Sequence, residues 1–186
     1  MAYYSLNYVI CLYVSFNGDL MKKVILAALV MASVGAHASN TITGGYAQTN
    51  SDGETLKGFN AKYAYTPDGE KLGYIGSLSI TALNEDRTED GVKANVKAGY
   101  GSLMGGLTYA ITGDFKPYVM AGVSRGAIDV DPKGFDDYKE TKTGFAYGVG
   151  AQYTIYNGVT LDASYEGSKL FGSQTNTFTV GAGYKF

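Results

Sequence analysis

The sequence predicts an all-β protein, an eight-stranded antiparallel up-and-down transmembrane β-barrel with short periplasmic turns and four longer extracellular loops. Three observations predict it. Eight segments of about ten residues are extended in character, most of them alternating large apolar with small or polar residues. The links between these segments are alternately short and long, and the second face is rich in Gly, Ala, Ser and Thr where a water-exposed sheet would carry Lys and Glu. Ten residues is about what a tilted membrane-crossing strand needs. The 26 Gly and 17 Tyr, with no Trp, also favour sheet over helix.

The chain opens with elements that precede the barrel. Met21–Ala38, MKKVILAALVMASVGAHA, has two lysines, an apolar run from Val24 to Val34 and an A-x-A ending, the layout of a secretory signal cleaved before Ser39. Its apolar run is shorter than the roughly 20 residues a spanning helix requires. Residues 1–20 lack a basic start and read as an upstream extension, with Met21 as the true start; a long two-part leader is the alternative. Residues 39–186 form the predicted barrel. Removing residues 1–38 takes Lys22, Lys23 and Asp19 from 15 basic and 17 acidic residues, leaving 13 against 16. It also removes Cys11 and His37, the only cysteine and the only histidine. The exported chain is therefore held by its fold alone, without disulfides, and its weak acidity does not suit nucleic acid.

The strands follow in order. TITGGYAQT is the first, and like the fourth and fifth it is weaker in pattern but extended in character. KGFNAKYAY sets Phe59, Ala61, Tyr63 and Tyr65 against Gly58, Asn60, Lys62 and Ala64. LGYIGSLSITA sets Leu72, Tyr74, Leu78 and Ile80 against Gly73, Ser77, Ser79 and Thr81, with Ile75 as the exception. GSLMGGLTYAI and KPYVMAGVSRG are extended in character, the second with ambiguous parity. GFAYGVGAQYTI sets Phe145, Tyr147, Val149, Ala151, Tyr153 and Ile155 against small residues, Gln152 and Thr154. VTLDASYEGS sets Val159, Leu161, Ala163 and Tyr165 against Thr160, Asp162, Ser164 and Glu166. TNTFTVGAGYKF sets Phe178, Val180, Ala182, Tyr184 and Phe186 against Thr177, Thr179, Gly181, Gly183 and Lys185.

Residues 66–70, 112–114 and 156–158 are tight turns, and residues 50–57, 84–97, 129–142 and 168–175 are the long polar links. A narrow closed barrel explains the small second face, because its lumen is filled by small polar side chains while its exterior meets hydrocarbon. A soluble lipid-carrier barrel would invert the pattern. An eight-stranded lumen is too narrow for a pore.

The segments TITGGYAQ, GFNAKYAY, LGYIGSL, GFAYGVGAQY, LDASYEGS and GAGYKF resemble the Ail/Lom/OmpX family of enterobacterial outer-membrane barrels, across nearly all of the exported chain. The resemblance implies a barrel in the outer membrane of a Gram-negative bacterium with four loops outside. It implies surface functions: attachment to host cells or matrix proteins, invasion, and resistance to complement. It also implies that Tyr184 and Phe186, an aromatic two residues before a terminal Phe, are the signal read by the barrel-assembly machinery.

The candidate residues divide by location. Lys62, Asp162, Glu166 and Lys185 have inward parity and read as a salt-bridge and hydrogen-bond network, because an unpaired charge there is costly. Paired carboxylates could also do acid/base chemistry, although without histidine a histidine-dependent esterase or acyltransferase is excluded. Arg87, Lys93, Lys133, Phe135, Tyr138, Lys139 and Phe171 are the candidate ligand-binding residues of the loops. For the three aromatics, packing on the loop base is the competing reading. The loops lean acidic, which argues against capture of sulfated sugars by charge. Asp129, Asp131, Asp136, Asp137 and Glu140 lack calcium-loop spacing. Tyr63, Tyr65, Tyr74, Tyr153 and Tyr165 suit interface girdles. No cofactor or metal is expected. The expected partners are outer-membrane lipid and lipopolysaccharide, the assembly machinery, and host matrix or complement-regulatory proteins, with the chain a monomer. A structural or envelope-stress barrel without a dedicated ligand is the alternative.

Overall fold

The computed structural model describes residues 38–51, 53–89, 92–132 and 138–186. Eight strands form one closed antiparallel barrel in sequence order: β1 (Ala38–Ser51), β2 (Glu54–Pro67), β3 (Leu72–Glu89), β4 (Val92–Tyr109), β5 (Phe115–Pro132), β6 (Tyr138–Thr154), β7 (Val159–Leu170) and β8 (Ser173–Lys185). Closure satisfies the edge groups of β1 and β8, which hydrocarbon would leave unpaired. At the seam the Asn40 and Phe186 amides and carbonyls exchange two hydrogen bonds of 2.9 and 2.8 Å.

The alternation becomes two surfaces. Val119, Val149, Phe178 and Val180 are each more than half exposed on the outside, a loss in water but not in lipid. Thr49, Ser79, Ser124, Thr160 and Thr177 are buried inside. The parity of β5 resolves with Lys116, Tyr118 and Met120 inward and Val119 and Val123 outward. Register decides it, since Lys116 pairs with the inward Gln152 of β6.

The lumen is less uniformly small and polar than expected. Ala64, Ile75, Met104, Tyr118, Met120 and Ala146 form an apolar cluster inside it, which accounts for the odd parity of Ile75. Inward glycines make the room. A Cβ on Gly150 would lie 2.4 Å from the Tyr118 hydroxyl, and one on Gly148 within 3.5 Å of Met104 and Met120. Large side chains from β4 and β5 thus fill space left by β6.

Connections at one end are tight turns. In the β6–β7 hairpin, Asn157 and Gly158 have φ of 50° and 82°, the mirror-image turn that matches strand twist. At the opposite end the strand limits differ from those predicted. Residues 84–97 and 129–142, predicted as loops, are mostly strand, because β3 and β4 pair as far as Glu89–Val92 and β5 and β6 as far as Val130–Tyr138. Likewise β1–β2 pairing reaches Ser51–Glu54 and β7–β8 pairing reaches Leu170–Ser173. Charge marks where a strand leaves hydrocarbon, not where its ladder stops. Lys97, Asp129 and Lys139 are direct cross-strand neighbours, an alternation that supports pairing in water.

Candidate functional site

Two regions hold the chemistry-bearing residues, the lumen and the far end of the barrel. In the lumen Lys62 of β2 and Asp162 of β7 meet at 2.6 Å with both side chains almost wholly buried. These strands are not neighbours, since β1 and β8 lie between them, so the pair ties parts of the wall that share no ladder. The Lys62 ammonium also donates to Asn60 Oδ1 (2.7 Å) and Thr179 Oγ1 (2.9 Å), using all three protons. Asp162 also accepts from the Tyr118 hydroxyl at 3.0 Å. Glu166 accepts from the Tyr100 hydroxyl and, at 3.4 Å, from Ser79. Asn60 donates to Ser79 at 2.7 Å and links the two carboxylate clusters.

Lys185 stands apart from this network, contrary to expectation. Its ammonium donates to the Gly113 carbonyl at 2.9 Å, in the β4–β5 turn. Its inward parity holds, but it is the last residue of β8 and lies at the barrel rim, where a long side chain reaches a turn carbonyl rather than the mid-lumen carboxylates. Lys116 is a lysine that sequence reasoning missed. It is buried and donates to Ser39 and Thr66, each at 3.3 Å. The ambiguous parity of β5 hid it, together with Tyr118. Tyr100 was visible only as one of many tyrosines.

At the far end β3 runs seven residues past its last pair with β2, Lys57–Ala82, and β6 starts eight residues before its first pair with β7, Ala146–Ser168. Strands β3 to β6 therefore protrude as a four-stranded sheet whose two outer strands each pair on one side only among the described residues. At the foot of the β3 edge a groove opens beside Glu54, Lys57 and Leu83. Arg87 and Lys93 are strand residues, paired with Ala94 and Thr88, and Tyr138 and Lys139 pair with Val130 and Asp129. Lys133 and Phe135 lie outside the described residues.

Phe171 does not project as an outward anchor. It sits in the β7–β8 turn with φ of 53°, uncommon for a bulky side chain, and packs against a cluster of Leu56, Tyr100 and Leu170 with Leu83 and Ala98. A Cβ on Gly126 would come within 2.9 Å of its ring, so the bare backbone there admits the aromatic. The cluster caps the lumen above the Glu166–Tyr100 pair. Near the same end the Tyr165 and Phe178 rings pack on the outside with centroids 5.1 Å apart.

The family profile described as outer membrane protein beta-barrel domain matches residues 24–186. Outer membrane protein X of Enterobacter cloacae is 36% identical over 176 residues, covering 89% of this chain and all of that protein. The attachment invasion locus protein of Yersinia pseudotuberculosis is 33% identical over 182 residues, covering 93% of this chain and all of that one. The chain belongs to the Ail/OmpX family of outer-membrane β-barrel proteins. A member of this family from Yersinia pestis, Ail, solved in complex with the heparin analogue sucrose octasulfate, superposes with a TM-score of 0.73 at 30% identity, over 81% of this chain and 99% of that one. Family membership places the barrel in the Gram-negative outer membrane, with its tight turns in the periplasm and its protruding sheet outside.

Proposed function

We propose that this family member is a non-enzymatic surface protein that mediates attachment to and invasion of host cells and resistance to complement, through its extracellular sheet and connections. The observation that carries the reading is the protrusion of β3 to β6, which lifts candidate contact residues Arg87, Lys93, Tyr138 and Lys139 beyond the barrel on a hydrogen-bonded frame. Strand edges that pair on one side offer main-chain groups to an extended partner segment. Residues 133–137, with Lys133 and Phe135, connect the two strands that carry much of this surface. The lumen supports a non-catalytic role, because both carboxylates are buried and engaged by donors. Bound sulfate, as in the heparin analogue complex of the Yersinia pestis relative, fits this chain less well. Its residues 129–142 carry five acidic against three basic side chains.

Expression on a non-adherent laboratory strain tests the reading. Gain of epithelial attachment or serum survival is expected, and shortening residues 84–97 and 129–142 while keeping the barrel should abolish it. No gain in either assay, at normal surface levels, refutes the proposal in favour of an envelope role without a dedicated ligand.

A further inference from the structure

Charge inside the barrel is sorted along its axis. Glu166 lies beneath the mouth cluster, the Lys62–Asp162 pair spans the middle, and Lys116 and Lys185 occupy the end that carries the tight turns. Neither of these two lysines forms an ion pair among the described residues. Lys116 is only 4% exposed, yet its ammonium reaches just two neutral hydroxyls, Ser39 Oγ and Thr66 Oγ1, each at a long 3.3 Å. Its third proton finds no acceptor among the described residues. The charged group whose field it feels is Lys185, a second cation. An ammonium buried beside another cation is costly unless a counter-charge joins it.

Gln152 of β6, the register neighbour of Lys116, supplies an independent observation. It faces inward and is 1% exposed, and neither its amide nitrogen nor its amide oxygen has a hydrogen-bond partner among the described residues. A buried amide with both ends unpaired is rare, because each end forfeits its hydrogen bond to water.

We propose that Lys116 and Gln152 hold a small inorganic anion of chloride size at the periplasmic end of the lumen, with Lys185 adding charge from the rim. The third ammonium proton and the Gln152 amide protons are the donors such an ion needs, and the ion supplies the counter-charge that Lys116 lacks. A water molecule in the same place would pair the amide but leave the charge uncompensated. Asp162, the other register neighbour of Gln152, does not repel the ion strongly, since Lys62 neutralises it at 2.6 Å. Burial sets the size. Thr154 and Thr160 near the same end are as closed to solvent as Lys116 and Gln152, so the site does not open to a phosphate headgroup or to a partner's carboxylate. Entry is from the periplasm, because the cluster around Tyr100 and Phe171 caps the other end. The site lies opposite the protruding sheet and has no part in attachment.

An ion that binds only the folded barrel raises the urea midpoint until the site saturates. The protein, extracted from outer membranes and returned to zwitterionic lipid vesicles, is unfolded in sodium chloride and in sodium gluconate of equal ionic strength, the second anion being too large for a closed site. At about 0.2 M salt the midpoint should lie about 0.5 M urea higher in chloride, and bromide should match chloride. K116M should abolish the difference and Q152L should at least halve it. K169M, which removes an exposed lysine from the outer wall at the opposite end, should keep it. Heat-dependent gel mobility verifies folding, and if K116M does not fold, Q152L decides. In crystals grown with bromide, anomalous density beside Lys116 Nζ is expected. Equal midpoints in chloride and gluconate mean a site filled by water and overturn the proposal. So does a chloride gain that persists at full size in folded K116M or in Q152L, a gain lost equally in K169M, or bromide found only on the outer wall.

Discussion

Replacing Lys62 by Met tests whether the cross-barrel pair holds the lumen together. The substitution removes the cation that sits 2.6 Å from Asp162 and leaves a carboxylate in a site almost closed to water. Breaking a buried pair from one side costs about 3–5 kcal/mol, a large share of a total of about 5–15 kcal/mol. With a urea slope of about 2 kcal/mol/M, the midpoint should fall by about 2 M. Asp162→Asn should cost a similar amount, since it strands the ammonium instead. The double variant K62M/D162N strands neither member of the pair and keeps an acceptor for the Tyr118 hydroxyl, so it should be more stable than either single variant, within about 2 kcal/mol of wild type. The chain has no Trp, so far-UV circular dichroism and heat-dependent gel mobility in lipid vesicles are the readouts. Additive losses in the double variant, or a K62M midpoint equal to wild type, would refute the argument that the pair ties β2 to β7.

Three further outcomes follow from the same geometry. Glu166→Ala removes the carboxylate that accepts from Ser79 and from the Tyr100 hydroxyl, leaving the latter only Ser168 at 3.4 Å, and should lower stability by about 1–3 kcal/mol in the same denaturation assay, with attachment unchanged. Gly150→Ala puts a methyl group 2.4 Å from the Tyr118 hydroxyl and 2.6 Å from the Ser164 Cβ, and should cost about 1–3 kcal/mol; an unchanged midpoint would mean that β6 yields more readily than its pairing suggests. Phe186→Ser removes the aromatic at the seam while keeping the main-chain bonds to Asn40. Surface levels should drop while ligand binding per assembled molecule stays normal, as immunoblotting of outer-membrane fractions would show.

Much of the barrel was legible because a two-residue period is a local signal. Each strand with clear parity, such as Phe145 to Ile155, told inside from outside unaided. Where both parities offered apolar residues, as in KPYVMAGVSRG, local reading failed, and with it went Lys116 and Tyr118. The strand limits were misjudged for a related reason. Polar residues in 84–97 and 129–142 resemble a loop when the partner strand is unseen, whereas Lys97, Asp129 and Lys139 in register are a ladder. Lys62 and Asp162 were visible as inward charges, but their contact joins residues 100 apart and depends on barrel diameter and stagger.

The sequence by itself determined the class of fold, the strand number and the polarity of the wall, because alternation, composition and link length are read along the chain, and its resemblance to a known family pointed to the membrane it occupies. Tertiary structure decided what the strands do to one another. Closure and register brought Lys62 to Asp162, moved Lys185 out to the rim and turned Phe171 from a loop anchor into part of the lumen's cap. Register also set Lys116 of β5 beside Gln152 of β6, a juxtaposition that neither strand carries alone.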